Sequence, residues 1–363
     1  MTSLGIIGLE RSGKTSLFNA VAAGHHEVGF QTHRDPHIGV IKVPDERLDQ
    51  LNVMFRPKKH TEATLEYVDF PGASFGGGSG PDIRFLDRLS QMDALIHVVR
   101  GFQNDSVPHP QETVDPARDI ETMTLELTFA DMALVEKRLE RIASESKALK
   151  AAERDLAERE AGLLRRLLGD LGNGVPVRAM TLSGDERNDL RQYRFLTDRP
   201  LLTLINIDEG QAGNAESIAA QFRPDDEVLG TATAAGCASL EMEFVDLSAD
   251  EAAEYRSEVG AGDGALATAI RLSYEILGLL SFFTVGEDEC RAWTVERGDN
   301  AQRAAGRIHT DLERGFIRAE VTNWHDLVEA GSEAEAKKLA LVHTEGKDYV
   351  VQDGDVLHVL FNL

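Results

Sequence analysis

Residues 8 to 15 read Gly-Leu-Glu-Arg-Ser-Gly-Lys-Thr, a G-x-x-x-x-G-K-T pattern set between an apolar run, Leu4-Gly5-Ile6-Ile7, and a helix-like run, Ser16-Leu17-Phe18-Asn19-Ala20-Val21. Strand, glycine turn and helix in that order form a phosphate cradle and commit the segment to an α/β architecture. Gly8 and Gly13 let the backbone curl until successive amides face one anion, and the N-terminus of the following helix adds partial positive charge. Within the loop Arg11, Ser12, Gly13, Lys14, Thr15 and Ser16 are candidate phosphate contacts. Lys14 is placed to bridge the β- and γ-phosphates, and the Thr15 hydroxyl to ligate Mg²⁺.

A chain of 363 residues is too long for one ordinary core, so two or three domains are expected. No run approaches a membrane span, and no charged segment followed by an apolar signal core opens the sequence, so the chain reads as soluble and cytoplasmic. Its two cysteines, Cys237 and Cys290, make neither a disulfide framework nor a metal-ligand spacing. A net charge of −24 opposes generic attraction to nucleic acid or an anionic membrane.

Short apolar strands alternate with helical stretches over the first 125 or so residues, including Ala63 to Phe70 and Ala94 to Val99. Between 129 and 168 the period changes: Val135, Leu139, Ile142, Leu149, Leu156, Leu163 and Leu167 describe a helical seam. Ser146, Glu153 and Glu160 interrupt it, which favours a short antiparallel helical arm over a continuous zipper. From 131 to 170 nine Lys/Arg balance nine Asp/Glu, so the arm is neutral on an acidic chain. The strand pattern returns at Pro200 to Asn206, making the arm an insertion. The expected divisions are 1–128 with 196–279 as a nucleotide-binding domain with a mostly parallel sheet, 129–195 as the arm, and 280–363 as a small α+β domain. In that last domain Tyr349-Val350-Val351 and Val356 to Phe361 read as a hairpin around Gln352-Asp353-Gly354-Asp355, and Trp293 and Phe316 as core.

Two further motifs narrow the chemistry. Val68-Asp69-Phe70-Pro71-Gly72 is a D-x-x-G arrangement at a strand end: Asp69 is placed to hold Mg²⁺, and the Gly72 amide to meet the γ-phosphate. The glycine-rich segment Ala73 to Pro81 follows it. Asn206-Ile207-Asp208-Glu209 stands where guanine-binding proteins carry N-K-x-D. Glu209 lengthens the base-recognising arm and Ile207 removes the lysine, so strict guanine selection should weaken and ATP and GTP both stay open.

These motifs resemble, from end to end, those of the YchF/Obg-like ATPases of the translation-factor GTPase class. The resemblance also rests on Val98-Val99-Arg100-Gly101-Phe102, Val114-Asp115-Pro116 with Asp119-Ile120-Glu121, Ala304 to Asp311, and Glu313 to Glu320. It implies a P-loop NTPase domain, an inserted coiled-coil arm and a ubiquitin-like TGS domain, with ATP or GTP hydrolysis and ribosome association. It also implies that Cys237, Ala238 and Ser239 form a second base-contacting loop, that Thr32 completes Mg²⁺ coordination, and that His109 positions the attacking water.

The chain departs from the family in places. Family cradles read G-x-P-N-V-G-K-S, whereas Glu10, Arg11 and Ser12 fill the central positions here. The family asparagine helps hold a potassium ion, so two readings of Arg11 are open. Its guanidinium replaces that cation as an arginine finger in cis, or it faces solvent or Glu10. The resemblance implies a loop after Gly72 about two residues longer than this one, with a larger apolar residue where Ala73 stands, and no glutamine is present there to orient water. Intrinsic turnover should therefore be slow, and a nucleotide-gated binding module with little or no hydrolysis stands as the alternative. From 280 to 363 nine Lys/Arg face sixteen Asp/Glu, which argues against this domain alone as a generic RNA clamp and leaves contact with a protein, or with RNA as part of a composite groove, open.

Overall fold

The computed structural model describes residues 2–23, 36–70, 82–146, 150–224, 228–245 and 247–362. The chain forms two units, one of Thr2–Val40 with Glu66–Leu272, the other of Ile41–Leu65 with Ser273–Leu363. The strands are β1 (Thr2–Ile7), β2 (His37–Val43), β3 (Lys59–Thr61), β4 (Ala63–Asp69), β5 (Ala94–Arg100), β6 (Leu201–Asn206) and β7 (Thr231–Gly236), then β8 (Leu279–Thr284), β9 (Glu289–Glu296), β10 (Phe316–Asn323), β11 (His343–Glu345) and β12 (Asp355–Phe361). Helices α1 (Lys14–Ala23), α2 (Glu46–Phe55) and α3 (Ile83–Ser90) lie among the early strands, and α4 (Pro116–Glu145) and α5 (Ala151–Gly172) follow β5.

The first sheet has the order β2-β4-β1-β5-β6-β7, and the pairs β1/β5, β5/β6 and β6/β7 are parallel. Every residue of β5 is buried, as a central strand covered on both faces requires. Register sets Arg100, Asn206 and Gly236 side by side at the carboxyl ends of β5, β6 and β7. Ligands of open α/β sheets bind beyond that edge.

The arm begins earlier than its periodicity suggests. Asp115 caps α4 by accepting from the Arg118 amide, and Pro116 occupies the first turn, where its missing N–H costs nothing. The boundary expected at 128/129 falls inside this helix, because one helix serves two cores. Met123 and Leu127 pack with Ile7, Val68 and Leu95 of the sheet. Val135 and Ile142 pack with Leu164, Leu167 and Leu171 of α5. The expected helical arm consists of two helices, α4 ending at Glu145 and α5 starting at Ala151. Leu156, read as a seam position, is 64% exposed instead; the apolar stripe of α5 runs through Ala161, Leu164, Leu167 and Leu171. Arg138 grips Glu160 across the two helices with two hydrogen bonds of 2.7 and 2.8 Å, and the Tyr193 hydroxyl donates to the same carboxylate.

Asp131, 2% exposed on α4, accepts from the backbone amides of Leu196 and Thr197 at 2.9 and 2.8 Å and so fixes the return toward β6. Burial nevertheless raises its pKa from 3.8 to about 6, outweighing those bonds. The linkage sign follows: stability carried by the protonated form is fully present below pH 3.8 and is lost as the pH rises through about 6. The loss is about 3 kcal/mol at most. Asp131→Asn should therefore flatten the fall of Tm across that window, which a pH series of thermal melts measures.

The second unit's sheet runs β11-β10-β12-β8-β9-β3. β3 pairs parallel with β9, Lys59 to Thr61 against Glu289 to Arg291, so a segment expected in the nucleotide-binding domain joins the C-terminal strands. The hairpin read around Gln352–Asp355 is not formed. β12 pairs antiparallel with β10 and parallel with β8, while Val350 makes only a bridge to Asn300. The turn is held by its own side chains: Asp355 accepts from the Gln352 amide and the Tyr349 hydroxyl, both at 2.8 Å. Leu280, Phe282, Val295, Ala304, Ala319, Val321 and Leu357 form the core, with half-buried Trp293 and Phe316 packed against it. Among the described residues no helix is long and apolar enough to cross a membrane.

Candidate functional site

The cradle spans β1 and α1, and its glycines are required by geometry. Gly13 has φ +99, and a methyl group there would run into the Asn206 side-chain amide; one at Gly8 would meet the Val98 carbonyl oxygen. Thr15 and Ser16 are exposed at the start of α1, while Ser12 is 2% exposed, and its Oγ has no hydrogen-bond partner among the described residues. Lys14 Nζ donates to the Gly8 and Leu9 carbonyls at 2.9 and 2.7 Å. Burial lowers its pKa, and the charges of Asp69 and Glu10 oppose that shift. Asp69, 4% exposed at the end of β4, shows the mirror effect: burial raises its pKa, with Lys14, His37 and the Phe70 amide pulling it down. A half-buried lysine and a buried carboxylate acting on each other beside a glycine turn fit a polyphosphate with a divalent cation. Thr32 and Gly72, the other residues assigned to the metal and γ-phosphate, lie outside the described residues.

Asn206 is a bracket. Its Nδ2 donates to the Ser12 carbonyl and its Oδ1 accepts from the Ala238 amide, both at 3.0 Å, so one buried side chain joins the cradle to the loop Cys237-Ala238-Ser239. That loop opens the helix Ala238–Val245, with buried Cys237 Sγ 3.1 Å from Ser239 Oγ. Asp208 Oδ2 accepts from the Gln103 amide at 3.2 Å. Glu209 is exposed and accepts from the Tyr255 hydroxyl at 3.3 Å.

His109 is buried, and both of its ring nitrogens are engaged. The Gln111 amide donates to Nδ1 at 3.1 Å, which leaves the proton on Nε2 to donate to Asp119 Oδ2 at 2.9 Å. Any contact with water at the phosphates requires the ring to leave this arrangement. Arg11 has φ +61 and is exposed, and its Nη1 donates to the Pro108 carbonyl at 2.9 Å.

Two polar residues of β5 escaped sequence reasoning. Arg100, 1% exposed, donates to the Phe102 and Val107 carbonyls at 3.1 and 2.7 Å and lies over the Phe102 ring at 4.4 Å; burial and the charge of Arg11 lower its pKa. The available signal was a lone charge closing an apolar strand. His97 lies in the same strand, fully buried with Nε2 unpartnered among the described residues. Burial first, and Lys14 second, push its pKa down to about 3, so it is neutral.

The chain has relatives along its whole length. Residues 279–362 match the family model YchF-GTPase_C, described as a protein of unknown function (DUF933). The "Ribosome-binding ATPase YchF" of Bacillus subtilis (strain 168) is 38% identical over 99% of both chains, and that of Escherichia coli O157:H7 is 37% identical over 99% of both. The solved structure of the Schizosaccharomyces pombe YchF GTPase superposes with a TM-score of 0.83 at 26% identity, covering 99% of this chain and 97% of that one. The chain belongs to the YchF family.

Proposed function

We propose that this protein binds a nucleoside triphosphate with Mg²⁺, hydrolyses it slowly and uses the bound nucleotide as a switch on the ribosome. ATP is the favoured substrate. Glu209 carries one methylene more than the aspartate of N-K-x-D and its Oε1 is turned to the Tyr255 hydroxyl, while Asp208 Oδ2 accepts from the Gln103 amide, an arrangement that weakens selection for the donor edge of guanine. The relatives at 37–38% identity carry the name ribosome-binding ATPase. The observation that carries the reading is a turn that admits only glycine at positions 8 and 13, with the Lys14 amine held on the Gly8 and Leu9 carbonyls and the charges of Lys14 and Asp69 acting on each other beside it.

In this reading Thr15 and Asp69, with Thr32, hold Mg²⁺, which supplies charge neutralisation for the phosphates. Lys14 moves its N–H donors from the Gly8 and Leu9 carbonyls to phosphate oxygens, a stronger, charge-assisted pairing. Asn206 keeps the cradle and the Cys237–Ser239 loop at a fixed separation. His109 is the candidate for orienting water once its loop rearranges. The engagement of both its nitrogens favours the second reading, nucleotide binding with little turnover, to the extent that this loop stays closed.

Because burial raises the Asp69 pKa, its ionised form is lost on acidification sooner than that of an ordinary aspartate. The Mg²⁺-dependent part of nucleotide affinity should then weaken at a higher pH than an unperturbed carboxylate would give, which titrations at several pH values measure. Cosedimentation with ribosomes tests the partner. More protein is expected in the ribosomal pellet with a non-hydrolysable ATP analogue than with ADP, and equal, background-level amounts in both would contradict it.

A further inference from the structure

The segment Gly101–Asp115 contains no helix or strand, yet it is tied down along its length. A loop of that size inside a compact unit is usually functional. Arg100 holds its start through the Phe102 and Val107 carbonyls, and Asp208 accepts from Gln103. Arg118 holds its end, donating to Thr113 O and Oγ1 at 2.7 and 2.9 Å. Its middle is held differently. Pro108 accepts from Arg11, a residue of the phosphate cradle itself, and the next residue is His109, locked on Asp119.

The anchors at the two ends come from β5, the end of β6 and α4, whereas Arg11 belongs to the cradle itself. It occupies the centre of the turn whose amides face the anion, and it is a non-glycine residue in the left-handed region at φ +61. Such a conformation is disfavoured for a residue with a Cβ and points to a role at the site. Its bond to Pro108 is to a neutral carbonyl at an exposed position, whereas a polyphosphate in the cradle offers charged acceptors whose bonds are roughly twice as strong. One guanidinium is thus shared between the loop and the ligand.

We infer that Arg11 is a positioning residue that couples the phosphate cradle to the His109 loop: it holds Pro108 when no nucleotide is bound and turns to the phosphates when a triphosphate enters, loosening the segment that carries His109. The inference rests on the proposed reading of the cradle as a nucleoside triphosphate site. It assigns to Arg11 a use that an asparagine at that position is too short to serve in the same way.

Hydrogen exchange of backbone amides between 103 and 112 in the full chain tests it, with nucleotide binding measured by titration on the same samples. The wild type is expected to exchange slowly without nucleotide and about fivefold faster with Mg²⁺ and a non-hydrolysable ATP analogue, the change in opening that one net hydrogen bond carries. Arg11→Met, which keeps length but donates nothing, should exchange fast in both conditions, and Arg11→Lys, which keeps a donor, should restore the slow state and its response. A purely structural role would not make exchange depend on nucleotide. The inference is overturned if the analogue binds and exchange is unchanged, or if Arg11→Met is as protected as the wild type without nucleotide. If no nucleotide binds the wild type, the reading of the cradle fails, and the comparison of Arg11→Met with the wild type still decides whether the tether exists.

Discussion

Lys14→Ala is expected to lower triphosphate turnover by about 10²–10³-fold, the loss that follows removal of one preorganised donor from a charge-stabilising site. The lysine is half-buried, its donors rest on the Gly8 and Leu9 carbonyls, and its charge acts on Asp69. Alanine removes the cation that faces the phosphates and leaves Asp69 buried without its main counter-charge, so the Asp69 pKa should rise further. Steady-state hydrolysis at saturating Mg²⁺ and ATP, compared with affinity for the non-hydrolysable analogue, measures both effects. Equal turnover in the variant and the wild type would place any activity outside this cradle.

Asn206→Ala should be nearly as damaging, through architecture rather than charge. The variant leaves the Ser12 carbonyl and the Ala238 amide without the partner each has at 3.0 Å. Orphaning two buried polar groups costs on the order of 2–6 kcal/mol, part of it recovered if water enters. The damage should be local, because both groups border the site: nucleotide affinity should fall at least tenfold while the far-UV circular dichroism of the variant stays that of the wild type. Gly13→Ala attacks the same bracket from the other side, since the new methyl group would run into the Asn206 amide at a backbone conformation that alanine resists.

The parts of this molecule that were legible in sequence are those whose physics is local. The cradle is one strand, one turn and one helix in succession, and Ala63–Asp69, Ala94–Arg100 and Leu201–Asn206 announce themselves as apolar strands. What was not legible depends on partners far along the chain. Lys59–Thr61 is too short and polar to read as a strand and becomes one by pairing with Glu289–Arg291. Val356–Phe361 looked like half of a hairpin because a turn precedes it, but β10 and β8 compete for it and win. α4 carries two apolar faces in series, so its period alone placed a boundary where the helix continues.

The site divides the same way. Lys14 and Asp69 could be assigned from motif spacing, and the structure brings their charges together. Asn206 could be placed at a nucleotide motif, but its bond to the Ser12 carbonyl crosses 194 residues and is invisible in the sequence. Arg11 posed the same difficulty: its partner, Pro108, lies 97 residues away in a segment without regular structure. Nor does any spacing show that His109 is held by Asp119, one turn into the next helix.

The cradle is expected to receive a nucleoside triphosphate, which titration calorimetry of ATP, ADP, GTP and GDP into the purified full chain, with and without Mg²⁺, measures. One site per chain is expected, with ATP bound more tightly with Mg²⁺ than without it and more tightly than GTP, and the heat abolished or strongly reduced in Asn206→Ala. Absence of binding by all four nucleotides, or binding that Asn206→Ala leaves unchanged, would contradict it.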